Sequence, residues 1–295
     1  NAATSLSATS RAGDAALGNG TAGTSLLLGA TGGDATLGTG TAGTTGTVQA
    51  TGNASITTSL TSAGTATLTA GNLASAAAIT STGADVVITG ASVNVANANA
   101  ATSLAMTASA GDLILGTGTA GTTATLTKSG GTGALAVTSL MAGSGATLAS
   151  STDARIADAV TTNGTLMVTT VGELTGLSGS RANLSSTNGD VIAMAGTNAL
   201  LGTVTSGTGT TLSAGTSLDV TSLTAGTDAT LTGGTITGGS ITATSGAISA
   251  TGTTINVMTA SAGTSLGMTA TTGDLTLGGV GAVIPERIIT RPPSA

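Results

Sequence analysis

Asp14 and Asp34 stand in matching Gly-Asp pairs, Gly13-Asp14 and Gly33-Asp34, one on each of two equal lines of sequence. If the chain coils at that step, the two carboxylates lie about 5 Å apart, near enough to hold a hard cation through oxygen. The nonapeptide calcium repeat Gly-Gly-x-Gly-x-Asp is absent, and an Asp after Gly at a corner ordinarily bonds backbone instead. The remaining acids are spread thinly and no aromatic residue is present to form a sugar platform, which argues against a polysaccharide lyase or hydrolase. With no His and no Cys, neither a Ser-His or Cys-His nucleophile pair nor a typical zinc site can be built. Gly38-Thr39-Gly40-Thr41-Ala42-Gly43 imitates a phosphate loop but lacks the lysine and a following helix. Asn19, Asn53, Asn163 and Asn183 begin Asn-x-Ser/Thr sequons, which composition alone produces in so hydroxyl-rich a chain. No catalytic, cofactor-binding or metal-binding residue is assigned, no cofactor is expected, and the chain reads as a non-enzyme.

The element that must position these residues shows in the same two lines. Gly13-Asp14-Ala15-Ala16-Leu17-Gly18-Asn19-Gly20-Thr21-Ala22-Gly23-Thr24 is followed by Gly33-Asp34-Ala35-Thr36-Leu37-Gly38-Thr39-Gly40-Thr41-Ala42-Gly43-Thr44. A fixed step of about 20 residues marks a solenoid. Thr4-Ser5-Leu6 with Gly13-Asp14 returns as Thr102-Ser103-Leu104 with Gly111-Asp112, and again as Thr264-Ser265-Leu266 with Gly273-Asp274. Thr58-Ser59-Leu60, Thr138-Ser139-Leu140 and Thr221-Ser222-Leu223 form a second family at offsets near four steps. The drift predicts turns of about 19 to 22 residues.

Within a step, stretches such as Ala66-Thr67-Leu68-Thr69-Ala70 alternate apolar and hydroxyl residues, the period of a half-buried strand. Gly at the boundaries permits sharp corners. Two or three short strands per coil, stacked about 4.8 Å apart, predict an all-β parallel β-helix. Roughly 14 turns would make a rod about 65–70 Å long. Aliphatic columns then fill a narrow core that needs no aromatic ring. Collagen is excluded by the Gly spacing, and a membrane helix by the shortness of the apolar runs. Six basic residues against twelve acidic ones make no basic patch, so nucleic acid is not an expected partner.

The shaft is expected over residues 1–282. Residues 150–200 fit least well and carry Asp153, Arg155, Asp158, Glu173, Arg181 and Asp190. Ala154-Arg155-Ile156-Ala157-Asp158-Ala159-Val160 is open to a helical turn or an outward loop, and the region to degenerate coils or a protruding contact site. Residues 283–295 hold Pro285, Pro292, Pro293, Arg287 and Arg291 and read as a terminal extension or linker, with a cap or a docking segment as alternatives. The start at Asn1 without Met suggests an internal piece of a longer precursor.

The 19–20-residue step, with segments such as Gly215-Thr216-Ser217-Leu218-Asp219-Val220-Thr221 and Gly273-Asp274-Leu275-Thr276-Leu277, resembles the repeat region of filamentous haemagglutinin-type exoproteins, over roughly residues 1–280. The family's Asn-Pro-Asn-Gly secretion signature and its occasional aromatics are missing here. The resemblance implies a right-handed parallel β-helix and two-partner secretion in an unfolded state. It also implies a place in the shaft of a bacterial surface adhesin or matrix fibre, with roles in attachment or biofilm. The expected partners are neighbouring segments or copies of the same fibre and a host or matrix polysaccharide. A different reading is a Thr-ladder module that binds ice or a polysaccharide surface. Thr230, Thr232, Thr235 and Thr237 suggest such a ladder, though the sequence does not sustain it in register. An end-to-end polymerising subunit is a further alternative.

Overall fold

The computed structural model describes residues 1–281 and, for the backbone alone, residues 286–290. The chain forms two compact units. One comprises residues 1–143 and 147–152, the other residues 144–146 and 153–295. Together they hold a β-solenoid of about 14 turns with about 20 residues per turn, so the expected β-helix is present. No helix among the described residues is long and apolar enough to cross a membrane.

Each coil follows one plan. A short strand such as Ala66–Ala70 is followed, after a tight corner, by a longer one such as Leu73–Ser81. The short strand alternates buried and outward residues without a break. The long strand does not: outward residues in succession interrupt its alternation, two at Ala77-Ala78 and Ala96-Asn97 and three at Thr57-Thr58-Ser59. Period-two alternation fails only where the chain turns, so the long strand bends there and the coil has three sides. Small or hydroxyl residues occupy the bend because it carries the chain around a narrow core.

Consecutive coils pair in parallel and in register. In the first unit Ala8, Leu28, Val48, Leu68, Ile88, Met106 and Leu126 stack into one column, and from Leu28 onward none is more than 1% exposed. In the second unit Val168, Ala193, Leu212, Leu231, Ala250 and Met268 do the same. Each fully buried aliphatic side chain contributes about 1.5–3 kcal/mol, and repetition replaces the aromatic core the composition denies.

The inward hydroxyls have their own reason. At the corner after each long strand the inward position is usually Ala, as at Ala22 and Ala42. Where a corner carbonyl turns inward, a hydroxyl meets it. Ser62 and Ser81 both donate to the Gly64 carbonyl at 2.6 Å, and Thr161 and Ser186 both donate to the Gly164 carbonyl at 2.8 and 2.7 Å. No buried side-chain nitrogen or oxygen among the described residues lacks a partner.

Within residues 150–200 one stretch departs from the sequence expectation. Ala154–Thr161 is a strand, neither a helical turn nor a loop. Ala154, Ile156 and Ala159 point inward, and Arg155 and Asp158 stand outward. The charges fall on the water-facing side of an ordinary rung. Just beyond, Leu177–Gly179 makes a 3-10 turn, with Ser178 at φ 55° and Gly179 at φ 75°. This excursion lengthens the coil, so Leu166 pairs with Val191 and the bonded Asn163–Asn188 pair is separated by 25 residues, beyond the expected 19 to 22.

Of the expected C-terminal extension, Val283, Pro285, Arg291, Pro292 and Pro293 lie outside the described residues. Glu286–Thr290 forms a strand that pairs in parallel with Ser265–Ala270, Ser265 opposite Glu286.

Candidate functional site

Acidic residues concentrate at two corners of the coil. Six of the twelve precede the long strands (Asp14, Asp34, Asp112, Asp153, Glu173 and Asp274) and three precede the short ones (Asp85, Asp190 and Asp228). At a corner the peptide rotates, and its N–H leaves the line of the backbone ladder. The carboxylate of the coil before restores that bond.

Asp14 and Asp34 show the geometry. The register places Ala15 opposite Ala35, so the two aspartates occupy the same corner on successive rungs, as the sequence step requires. The Asp34 N–H donates to Asp14 Oδ1 at 2.8 Å, and the Asp34 carbonyl accepts from the Ala15 N–H at 2.8 Å. One residue is thus held at both its N–H and its carbonyl by the coil before it. The bonded backbone belongs to the next coil and not to the aspartate's own corner. Asp34 repeats the grip on Asn53, accepting its N–H at 2.7 Å and its Nδ2 at 3.2 Å. The Asn53 carbonyl accepts from the Ala35 N–H at 2.9 Å.

The same two-point grip recurs along both units. Asp85 Oδ1 accepts the Ser103 N–H at 3.0 Å and Asp112 Oδ1 the Ala134 N–H at 2.7 Å. Asp153 Oδ1 accepts the Glu173 N–H at 3.0 Å, Asp190 Oδ1 the Gly209 N–H at 2.8 Å and Asp228 Oδ1 the Ala247 N–H at 2.7 Å. In every case the carbonyl of the gripped residue accepts a backbone N–H from the coil before. Asn53 shows that a neutral amide serves too, its Oδ1 accepting the Leu73 N–H at 3.2 Å.

These bonds set the electrostatics. The Asn53 backbone N–H, and then its side chain, hold the Asp34 carboxyl below the usual carboxylate range. The Thr102 hydroxyl, followed by the Ser103 N–H, does the same for Asp85. Hydrogen bonds to the ionised form favour it. No group of three or more potential metal ligands occurs among the described residues.

Arg181, Glu173 and Lys128 also bond across coils. Arg181, just past the 3-10 turn, passes over side-chain-free Gly202. Its Nη1 donates to the Leu201 carbonyl at 3.0 Å, and its guanidinium takes Asp219 in a bidentate pair at 3.0 and 2.8 Å. Asp219 raises the affinity of Arg181 for its proton, chiefly through that hydrogen bond. Glu173 Oε1 accepts Asn198 Nδ2 at 2.8 Å. Lys128, which the sequence reading passed over, is only 1% exposed. The alternation Ala124-Thr125-Leu126-Thr127-Lys128 places it inward, so the signal was there.

The Gly-rich stretch is packing. Gly38-Thr39-Gly40-Thr41-Ala42 lies within the strand Ala35–Ala42. A Cβ on Gly40 would come within 2.8 Å of Leu37 Cδ2 and 2.9 Å of Leu60 Cδ1, and one on Gly43 within 1.9 Å of the Gly23 carbonyl oxygen. The first glycine makes room for leucines and the second for the neighbouring backbone.

One outward run is longer than the sequence suggested, though Asn, Ala and Met interrupt its hydroxyls. Along the second half of the long strands, Thr21, Thr41, Thr61, Thr80, Asn99, Thr119 and Met141 stack in continuous register. Two residues before each stand Asn19, Thr39, Ser59, Ala78, Asn97, Thr117 and Ser139. In the second unit Ser185, Thr205, Thr224, Thr242 and Ser261 form the equivalent column, with Asn183, Thr203, Ser222, Ser240 and Thr259 two residues before. Neighbours lie about 4.8 Å apart up a column and about 6.6 Å apart between columns. Gly279 and Gly281 end the pair of columns in a hollow of about 310 Å³ lined also by Ser240, Thr242, Thr259 and Ser261. Thr230 and Thr232 belong to a shorter run on the short-strand side, stacked between Thr211 and Ser213 on one rung and Ser249 and Thr251 on the other. Thr235 and Thr237 lie on the long-strand side of the coil, Thr237 between Asp219 and Asn256.

No family model matches the chain, and no curated protein and no solved structure matches it.

Proposed function

We propose that this chain is a structural shaft segment of a secreted bacterial surface adhesin or extracellular matrix fibre, serving attachment or biofilm formation. The observation that carries this reading is the joint between coils. Asp14 and its counterparts accept the N–H of a residue on the next rung whose carbonyl the following backbone N–H holds, over aliphatic columns that run rung to rung. A fold whose side chains are spent on joining identical layers suits bearing load and holding distance. The filamentous haemagglutinin-type resemblance supports the same role and supplies the surface location. Negative-stain electron microscopy of the secreted protein is the test. Rods whose length falls in proportion when whole coils are deleted, together with weaker cell attachment, are expected. Compact particles, or attachment unchanged by the deletions, overturn the proposal. Rods longer than one chain would favour the end-to-end polymerising subunit.

A second reading is favoured by the hydroxyl columns. Uncharged, regularly spaced Thr and Ser on a rigid sheet suit a ligand that is itself a lattice, either ice or a crystalline polysaccharide. Thermal hysteresis and sedimentation with insoluble glycans test it, and activity lost in a Thr41→Lys, Thr61→Lys variant would support it. No hysteresis and no sedimentation would exclude it.

A further inference from the structure

An ionised carboxylate offers acceptors alone, whereas the protonated acid keeps one carbonyl acceptor and gains an O–H donor. Protonation removes the charge that makes such a bond about twice as strong as a neutral one, and at Asp34, where both oxygens accept from Asn53, either site of protonation sets an O–H against a donor. The grips recur at Asp14, Asp34, Asp85, Asp112, Asp190 and Asp228, and also at Asp153. In a solenoid, stability is close to a sum of coil terms and nearest-neighbour joints, and these bonds lie at the joints. We propose that Asp34 and Asp85 make their joints in the coil stack an acid-released zipper, tight while they are ionised and loosened as they protonate.

The groups facing these carboxylates are few. Asp34 lies one rung above Asp14, a like charge on the same column. Arg11 shares the corner with Asp14. Lys128 ends the strand that leads into the corner above Asp112, with its Nζ turned inward to the Gly131 carbonyl and the Ser151 hydroxyl. Thr102 and Thr208 hydroxyls donate to Asp85 and Asp190. The donors that define each site are thus backbone N–H and hydroxyl groups, which do not titrate in the acid range.

The sign follows from linkage. Asp34 and Asp85 are depressed when folded. Their contribution is fully present above the unfolded value of about 3.9 and is lost as pH falls through the lower folded values. The zipper therefore holds at neutral pH and opens only in acid. This holds whether the solenoid serves as a shaft or as a binding face, so its failure would leave both readings standing.

The chain supplies its own control, because Asn53 fills an aspartate position with a neutral acceptor. Equilibrium unfolding between pH 7 and pH 2.5 should be compared for the intact chain and a variant with Asp34 and Asp85 both changed to Asn. The intact chain's unfolding constant is expected to rise more steeply in acid than that of the variant, which takes up fewer protons on unfolding. Superimposable pH profiles would overturn the proposal. Should the double variant not fold at neutral pH, Asp34→Asn and Asp85→Asn singly are expected to flatten the acid limb, and no change in either would overturn it equally.

Discussion

Lys128 Nζ is held 2.9 Å from the carbonyl oxygen of Gly131, with the Ser151 hydroxyl at 3.4 Å, inside a column that is otherwise small. The residue below it in register is Ala108. The lysine stem fills the space under the corner while its head satisfies an inward carbonyl. Gly131 turns that carbonyl inward by adopting φ 70°.

Lys128→Ala is therefore expected to destabilise the fold by about 2–4 kcal/mol, because it opens a cavity and strands the carbonyl. Lys128→Met keeps most of the volume and should cost less. Chemical denaturation of both variants checks the order. A harmless Lys128→Ala would show that the corner closes without the lysine.

Two glycines of similar sequence context should behave oppositely. Gly43→Ala drives a Cβ to within 1.9 Å of the Gly23 carbonyl oxygen, whereas a Cβ on Gly18 meets nothing within 4 Å. Gly43→Ala is expected to cost about 1–3 kcal/mol. Gly18→Ala should be neutral or stabilising by less than about 1 kcal/mol. Thermal melts of the two variants separate packing from composition.

The Arg181–Asp219 pair should contribute little. Its side chains are 38% and 36% exposed, so solvent screens the attraction. Arg181→Ala is expected to cost about 0.5–1 kcal/mol, falling in high salt. A double-mutant cycle with Asp219→Ala, measured at low and high ionic strength, gives the coupling. A coupling above about 2 kcal/mol would mean that the Leu201 carbonyl contact and the 3-10 turn act with the pair.

Core and outward positions of one rung should diverge. Leu68→Ala removes a fully buried member of the central column and is expected to cost about 2–5 kcal/mol. Thr67→Ser and Thr69→Ser on the same strand face outward and should stay within about 0.5 kcal/mol. Urea midpoints for the three variants test the assignment of sides.

Much of this architecture could be read from the chain. Gly13-Asp14 and Gly33-Asp34 set the step, and alternation in Ala66-Thr67-Leu68-Thr69-Ala70 set the inward face. The role of the aspartates was less accessible. Sequence shows that they stack, but whether they bind a cation, their own corner or the next coil depends on where a rotated peptide points. Ala154–Thr161 misled because charge was weighed above alternation, although Ala154, Ile156 and Ala159 kept the inward positions of an ordinary rung. The hydroxyl columns were hidden by register. Shifts between Leu37 and Thr39, and between Ile56 and Leu60, break a rigid 20-residue comparison, and Thr80 falls 19 residues after Thr61.

Those shifts fall at the bend of the long strand, and the longest insertion, around Leu177–Gly179, emerges from the outer side of a rung. Inward positions keep their partners on either side of each irregularity. A small insertion is tolerated where it can bulge into water and is ruinous where it would swap inside for outside. A whole added or missing layer offends nothing, since the surfaces it would leave or create are already made for each other. The gene can therefore lengthen or shorten such a protein in quanta of one layer, and extent becomes a heritable quantity that varies separately from the stability of each joint.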